Sequence, residues 1–333
     1  MHASTGTDLE GRWQIPAVRL AALAPEREED AAFLAADDPH HGMVTLLDLV
    51  RFGASAMERA GLHYGHGTSD ALSEAAFIVL RTLGLPLDLG LGYWQARVTD
   101  GERRAVLERL LTRIRRRCPA PYLVNEAWFA GLEFYVDRRV LVPRSPLAEL
   151  IAQGFAGWLT DPRLIVDFGT GSGSLAIACC DAFPEARVIA IDADSDALAV
   201  AALNLSRHGL DERVTLVQAD SLAAAIAAQD NGAVDLIVAN PPYVPPSIYA
   251  ALPPEYGWEP RGALEADDDG LGVVLRLLAE SRGLLAGDGL LALEVGVAAD
   301  RLRARLPTLQ AYWPELEHGG EGVAMIERQA LEF

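Results

Sequence analysis

Short apolar runs alternate with amphipathic segments through the second half of the chain, and this alternation constrains the fold more than any other feature. The apolar runs predict strands at residues 164–168, 188–192, 214–220, 234–239 and 290–295. The segments between them predict helices at residues 174–182, 195–208, 222–228 and 271–285. Such alternation is typical of an α/β fold, in which a parallel sheet carries helices on both faces. After it, the sequence predicts an antiparallel pair of strands at residues 313–318 and 322–327.

The first predicted strand ends in a glycine-rich turn, Asp167-Phe168-Gly169-Thr170-Gly171-Ser172-Gly173. Alternate glycines let the backbone bend sharply and leave bare N–H groups at the start of the next helix, where a ligand can approach. Asp192 ends the second strand, where a carboxylate accepts hydrogen bonds from ribose hydroxyls. Asp220 and Ser221 end the third strand, near the expected adenine. The predicted cofactor-binding residues are Asp167, Gly169, Thr170, Gly171, Ser172, Gly173, Asp192, Asp220, Ser221 and Asn240.

The fourth predicted strand stops at Asn240-Pro241-Pro242-Tyr243, at the sheet edge where open α/β sheets bind ligands. The Asn240 side-chain oxygen and the Pro241 carbonyl are two acceptors that can take both hydrogens of one –NH2 group. The Tyr243 ring offers a flat wall for a planar amine or amide. We therefore predict that Asn240, Pro241, Pro242 and Tyr243 are catalytic. The alternative is a turn without chemistry, because Asn and Pro are common in turns.

The glycine spacing distinguishes two classes of nucleoside cofactor. Dinucleotide-binding turns have the form Gly-x-Gly-x-x-Gly. Here the third glycine, Gly173, comes one residue early. Together with the Asn-Pro-Pro-Tyr stretch, this spacing favours S-adenosylmethionine over NAD.

The first half of the chain divides into regions of different character. Residues 1–42 have no lasting periodicity and predict a mobile leader. Residues 43–120 have helical spacing and predict a small domain for substrate recognition, with Thr45 capping its first helix and Thr68 or Ser69 its second. Residues 121–146 predict a β-hairpin linker, and residues 147–333 the catalytic domain.

The third predicted helix, residues 100–117, carries seven arginines around an apolar stripe. Two interpretations are open. The arginines form a solvated helix face, or they contact ribosomal RNA or an acidic neighbouring surface, since arginine clusters bind phosphates.

Composition limits the classes of function. A formal charge of −19 and a pI near 4.7 argue against binding along DNA and favour a basic protein partner. The three cysteines and the histidines His63 and His66 lack metal-ligand spacing, so no metal site is predicted. Charged residues interrupt the start of the chain, and no apolar run reaches about 18 residues. We therefore expect a cytoplasmic protein without a membrane span.

With these residues in place, the chain resembles the class I S-adenosylmethionine-dependent methyltransferases, and more closely the protein N5-glutamine methyltransferases that modify translation proteins. The resemblance covers about residues 44–328. Residues 62–68, 142–150 and 256–260 look like the branch that acts on large-subunit ribosomal protein three. The resemblance implies a Rossmann-like sheet, a helical amino-terminal domain and S-adenosylmethionine as cofactor.

The activity implied by the resemblance is direct methyl transfer to a glutamine side-chain nitrogen. Three alternatives remain open at this point. The sister branch acts on peptide-chain release factors, but it typically has Pro-Arg-Pro-Glu-Thr-Glu where this chain has Pro143-Arg144-Ser145-Pro146-Leu147-Ala148. A DNA amino-methyltransferase shares the amine-binding stretch but conflicts with the net charge. A non-catalytic ribosome assembly factor would hold the cofactor only as a structural ligand.

Overall fold

The computed structural model describes residues 42–227, 232–317, 319–320 and 322–332. The predicted leader, residues 1–42, therefore lies outside the described residues except for Gly42. The helical region begins at α1 (Leu46–Ala60) and continues through α2 (Ala71–Thr82), α3 (Asp100–Arg116) and α4 (Ala120–Val124), with a 3₁₀ turn at Leu91–Gln95. As predicted, Thr45 caps α1, in a reciprocal capping box with Asp48.

The cap of α2 differs from the prediction. Asp70 is the N-cap, and its Oδ1 accepts a hydrogen bond from the Ser73 N–H at 2.9 Å. Thr68 instead donates its hydroxyl to the buried Glu74 carboxylate at 2.8 Å. Ser69 donates to Asp70. Aspartate is as good an N-cap as serine, so the three adjacent candidates were not separable by type alone.

A hairpin follows the helical region. Strands β1 (Ala127–Phe129) and β2 (Leu132–Phe134) pair antiparallel, as predicted. The chain then runs to α5 (Leu147–Ala152), where the alternating part of the molecule begins.

The main sheet contains six of the described strands in the order β5-β4-β3-β6-β7-β8. They are β3 (Leu164–Phe168), β4 (Arg187–Asp192), β5 (Val214–Gln218), β6 (Val234–Ala239), β7 (Leu285–Glu294) and β8 (Val323–Glu327). The first five are parallel, so the predicted α/β class is confirmed. The connecting helices include α6 (Ser174–Ala182), α7 (Ser195–His208), α8 (Leu222–Ala227), α9 (Pro246–Tyr249), α10 (Asp267–Gly270), α11 (Gly272–Leu284) and α12 (Ala299–Arg305).

The end of the chain is arranged differently from the predicted antiparallel pair. Strand β8 pairs antiparallel with residues 290–294 of β7. Residues 313–317 form no strand, and the neighbouring Tyr312 makes a single bridge to Met325. The free edge of β7 offers a longer apolar partner to β8 than a local hairpin does.

Two apolar clusters cover the two faces of the sheet. One contains only elements of the sheet domain. The other runs without interruption from the helical region to the sheet, and its members include Leu110, Phe134, Leu147, Ile177 and Val188. Burial of each such side chain contributes roughly 1.5–3 kcal/mol. The helical region is therefore packed into the same core as one face of the sheet. Among the described residues, no helix combines the length and hydropathy needed to cross a bilayer.

Candidate active site

The site lies where the strand order reverses. From β3 the chain passes outward to β4 and β5, and then returns to β6 on the other side of β3. Open α/β sheets bind ligands in the crevice at such a point. Phe168 and Ala239 are paired across β3 and β6, so Gly169 and Asn240 follow at the same edge. A Cβ on Gly169 would lie 3.9 Å from the Asn240 carbonyl oxygen.

The glycine-rich turn is fastened to the end of β4. The N–H groups of Gly169 and Thr170 both donate to the Ile191 carbonyl at 2.9 Å. The Gly171 N–H donates to Asp192 Oδ2 at 2.9 Å. Gly169 has φ +75°, in the left-handed region that favours glycine. The turn is thereby held in place before any ligand arrives.

Asp167 supports this turn from below. It is fully buried, and its Oδ2 accepts hydrogen bonds from the Thr170 hydroxyl at 2.6 Å and from the Ala176 N–H at 3.0 Å. Its Oδ1 has no partner among the described residues, and burial raises the pKa of this carboxyl to about 7. Ser172 is also buried, and its carbonyl accepts from the Asn204 amide at 2.8 Å. These residues shape the turn without lining the cavity above it.

A cavity of about 360 Å³ opens beside the turn, within the size range of small-molecule sites. We call it the cofactor cavity. Of the predicted residues, it is lined by Gly169, Gly171, Asp192, Asp220, Asn240 and Pro242. Burial raises the pKa of the Asp192 carboxyl, whose Oδ1 accepts from the Asp194 N–H at 2.9 Å. Each Asp192 oxygen keeps lone pairs that can accept from a ribose, so the lining fits a nucleoside.

The remaining predicted cofactor residues lie outside this lining. Gly173 packs at the start of α6, where an added Cβ would lie 3.4 Å from Ala201. Ser221 accepts a hydrogen bond from the Ala224 N–H and donates one to Glu280 at 3.1 Å, so its hydroxyl binds the first turn of α8 and a side chain of α11. Three further lining residues were not predicted from the sequence: Arg139 and Leu141 from the segment after the hairpin, and Arg276 from α11. No local pattern marks these three, because their positions depend on packing between distant segments.

A second, smaller cavity of about 130 Å³ adjoins the first, and we call it the acceptor cavity. Its lining consists of Leu141, Arg144, Asn240, Tyr243, Val244, Ala263, Leu264 and Glu294. Leu141, Asn240 and Ala263 line both cavities. Asn240 therefore stands at the junction of the two cavities, whereas Pro242 faces the cofactor cavity and Pro241 lines neither.

Tyr243 is held tightly at the wall of the acceptor cavity. Its hydroxyl donates to Glu294 Oε1 at 2.7 Å. Burial and the neighbouring Glu294 charge raise the pKa of the Tyr243 phenol. A Cβ on Gly296 would lie 2.5 Å from the ring, and one on Gly270 would lie 2.2 Å from the Tyr243 carbonyl oxygen. Two glycines thus let α10 and the 3₁₀ turn after β7 close around this residue.

Arg144 and Glu259 form an ion pair beside Tyr243. The guanidinium donates to both carboxylate oxygens, at 2.6 and 2.8 Å, and the Val142 N–H donates to Oε1 at 3.0 Å. His66 Nε2 lies 3.4 Å from Glu259 Oε2. Burial alone would raise the pKa of the Glu259 carboxyl, but His66 and Arg144 outweigh it and lower the pKa to about 2. The three segments that carried the closer resemblance meet around this carboxylate.

The arginine-rich helix α3 does not present a uniformly solvated face. Arg113 is 1% exposed and donates to Glu74 at 2.7 Å and to the His63 carbonyl at 2.8 Å. Glu255 Oε1 accepts from the His63 N–H at 3.0 Å and from Arg117 at 2.9 Å. The interpretation of the arginines as a solvated face is therefore wrong for Arg113. Buried ion pairs tie the segment after Tyr243 to the helical region.

The chain matches known proteins across this site. The methyltransferase small domain family model matches residues 150–248, which include the glycine-rich turn and Asn240 to Tyr243. A methyltransferase structure from Pyrococcus furiosus covers 60% of this chain and 89% of its own, with 20% identity and a TM-score of 0.44.

Two curated relatives align over most of the chain. The ribosomal protein uL3 glutamine methyltransferase of Bordetella pertussis is 44% identical over 290 residues, which are 86% of this chain and 96% of the relative. That of Xanthomonas campestris pv. campestris is 44% identical over 299 residues, which are 89% and 94% of the two chains. On this identity and coverage, the chain belongs to the family of ribosomal protein uL3 glutamine methyltransferases.

Proposed function

We propose that the protein transfers a methyl group from S-adenosylmethionine to the side-chain amide nitrogen of a glutamine in ribosomal protein uL3. The observation that carries the proposal is the position of Asn240, which lines the cofactor cavity and the acceptor cavity at their junction. A group that grips the acceptor amide must stand within reach of the methyl donor, and only a residue shared by both cavities meets that requirement directly.

Several residues suit the cofactor cavity to S-adenosylmethionine. Asp192 offers carboxylate oxygens for the ribose hydroxyls, and Asp220 lies beside the expected adenine position. Gly169 and Gly171 line the cavity without side chains, which lets a ligand approach the turn closely. When bound, S-adenosylmethionine supplies a methyl group activated by a sulfonium.

The acceptor side must overcome the weak nucleophilicity of an amide nitrogen, whose lone pair is delocalised into the carbonyl. Neither the Asn240 side chain nor the Pro241 carbonyl oxygen has a hydrogen-bond partner within the described part of the chain. The Asn240 side-chain oxygen is therefore available to accept an N–H of a glutamine in the acceptor cavity, whereas Pro241 is buried and lines neither cavity. Such positioning contributes about 7 kcal/mol or more in favourable cases. Tyr243 packs against the amide plane, and no histidine base is required.

The helical region is proposed to dock the substrate protein. It exposes large apolar side chains, with Leu72 61% exposed, Leu91 90% and Tyr93 66%. Exposed large apolar side chains are candidates for contact with a protein partner. The net charge of −19 favours a basic partner such as a ribosomal protein, met in the cytoplasm, over DNA. Arg104 and Arg115 of α3 are exposed, and the proposal therefore includes a minor contact with ribosomal RNA.

The test is methylation of purified substrates. We expect labelled S-adenosylmethionine to transfer its methyl group to unmethylated uL3, and mass spectrometry to locate the label on one glutamine. Purified release factor and duplex DNA are the parallel substrates. Preferential labelling of either would replace uL3 in the proposal. If no substrate is labelled while the cofactor binds, the protein acts as a non-catalytic binding factor and the proposal fails.

A further inference from the structure

A buried chain of hydrogen bonds ends on Tyr243. The Ser145 hydroxyl donates to Glu294 Oε2 at 2.6 Å, and the Tyr243 hydroxyl donates to Glu294 Oε1 at 2.7 Å. Ser145 is 7% exposed and Glu294 6%. The three residues come from the segment before α5, the end of β7 and the segment after β6, and they meet only in the folded protein.

The Glu294 carboxylate is closely surrounded. Its hydrogen bonds come from Ser145 and Tyr243, one to each oxygen, and Arg144 is the charged group that faces it from the same cavity wall. Burial raises the pKa of the Glu294 carboxyl, and the two hydrogen bonds and the Arg144 charge oppose that rise. Removal of one donor therefore favours protonation of Glu294.

The arrangement restricts how the Tyr243 ring can lie. Gly296 lies against the hydroxyl-bearing end of the ring, where an added Cβ would lie 2.5 Å from Cε2 and 3.0 Å from the hydroxyl oxygen. The hydroxyl at this same end is fixed by its hydrogen bond to Glu294 Oε1. Because Gly296 and Glu294 both constrain the hydroxyl-bearing end, the Tyr243 ring is held in one orientation at the wall of the acceptor cavity.

We propose that Ser145 and Glu294 are positioning residues for methyl transfer: Ser145 orients the Glu294 carboxylate, and Glu294 orients the Tyr243 ring against the acceptor amide. The proposal rests on the proposed function and adds two residues to it. Ser145 acts through Glu294 and Tyr243, and it does not itself touch the substrate.

The decisive experiment is a double-mutant cycle on methyl transfer to uL3. We expect Ser145→Ala to lower kcat/KM for the protein substrate about tenfold, as expected for loss of one hydrogen bond to a charged group. The cofactor Kd should stay within about twofold of the parent value. In a Tyr243→Phe background, Ser145→Ala should change kcat/KM by less than about twofold, because the hydroxyl that it positions is absent. Additive losses would overturn the proposal.

Ser281→Ala is the matched control. Ser281 is fully buried, and its hydroxyl donates to the Leu277 carbonyl at 2.7 Å within α11. This variant should lose stability without the kinetic change. A loss of kcat/KM equal to that of Ser145→Ala would attribute the effect to packing and overturn the proposal. Ser145→Cys, which keeps the side-chain size and weakens the donor, provides the same test if the alanine variant does not fold.

The pH profile gives a second readout. In Ser145→Ala the acid limb of kcat/KM should move to higher pH, because Glu294 protonates more readily with one donor fewer. An unmoved limb contradicts the role of Ser145. If the parent enzyme itself fails to methylate uL3, the proposed function fails, and that result is distinct from a Ser145 variant that matches an active parent.

Discussion

Arg144 donates to both carboxylate oxygens of Glu259, at 2.6 and 2.8 Å, and also lines the acceptor cavity. The two residues are 115 positions apart in the sequence. One ion pair therefore joins the hairpin segment to the loop that follows Tyr243. It also brings His66 of the helical region within 3.4 Å of the same carboxylate.

This pair predicts a pH dependence of stability. Because the folded pKa of Glu259 is lowered from 4.5 to about 2, its ionised form is favoured by folding. The stabilisation is fully present above about pH 4.5 and is lost as the pH falls toward 2. The difference in unfolding free energy between the parent and Glu259→Gln should shrink by about 3 kcal/mol across that window.

Urea titrations at several pH values measure this difference. Glu265→Gln is the control, since Glu265 pairs with Arg261, which is 68% exposed, and surface pairs contribute only about 0–1 kcal/mol. If the unfolding free energies of Glu259→Gln and the parent run parallel with pH, the lowered pKa of Glu259 is contradicted.

Asn240→Ala should separate chemistry from cofactor binding. Loss of the side-chain acceptor leaves the amide free to rotate, and misplacement of a reacting group costs roughly 100-fold in rate. We expect kcat to fall by about that factor or more, with the cofactor Kd changed only a few-fold. Isothermal titration and steady-state kinetics measure the two quantities. Asp192→Ala is the control and should show the opposite pattern, with the larger loss in cofactor affinity. Equal losses of cofactor binding and rate in Asn240→Ala would refute the role of Asn240 at the acceptor amide.

Arg113→Met should destabilise the fold strongly. The substitution leaves the buried carboxylate of Glu74 without its charged partner, and broken buried pairs cost about 3–5 kcal/mol. Arg104→Met on the same helix is the control, because Arg104 is exposed and such changes stay within about 0.5 kcal/mol. Chemical denaturation of both variants measures the two losses of unfolding free energy. Equal stabilities would mean that Arg113 is not held in a buried pair.

Gly296→Ala should impair the acceptor cavity. Gly296 has φ +40°, and an added Cβ would lie 2.5 Å from the Tyr243 ring, so the ring must move. We expect kcat/KM for uL3 to fall about tenfold or more, given the cost of displacing a positioning group. Gly283→Ala in α11 meets no atom within 4 Å and should be neutral or stabilising. Kinetics that do not distinguish the two variants would show that the ring position is unimportant.

Much of the sheet was predictable from local pattern. The bounds of β3, β6, α6 and α7 match the predictions at both ends, because apolar runs there stop at glycine, proline or capping residues. Once the strand order places β3 beside β6, Gly169 and Asn240 must meet. The proximity of these two residues therefore follows from topology and needs no fine packing.

The residues that surround Tyr243 at the wall of the acceptor cavity were less predictable. Glu294 ends an ordinary apolar strand, and nothing local distinguishes it from a solvated carboxylate. Its role depends on Ser145 and Tyr243, which arrive from distant segments. Arg113 was recognisable in principle, since it follows Leu110 by three positions on the apolar stripe of α3. A charged residue at such a position indicates a buried partner.

The uninterrupted core between the helical region and the sheet constrains how this protein can be divided or altered. A fragment starting near residue 147 would lack the cluster members that come from the preceding segments, such as Leu110 and Phe134. Replacement of the helical region during evolution would thus require simultaneous changes in the sheet residues that share this cluster with it. Substitutions on the outward surface of the helices leave this shared cluster intact and are therefore more accessible than replacement of the whole region.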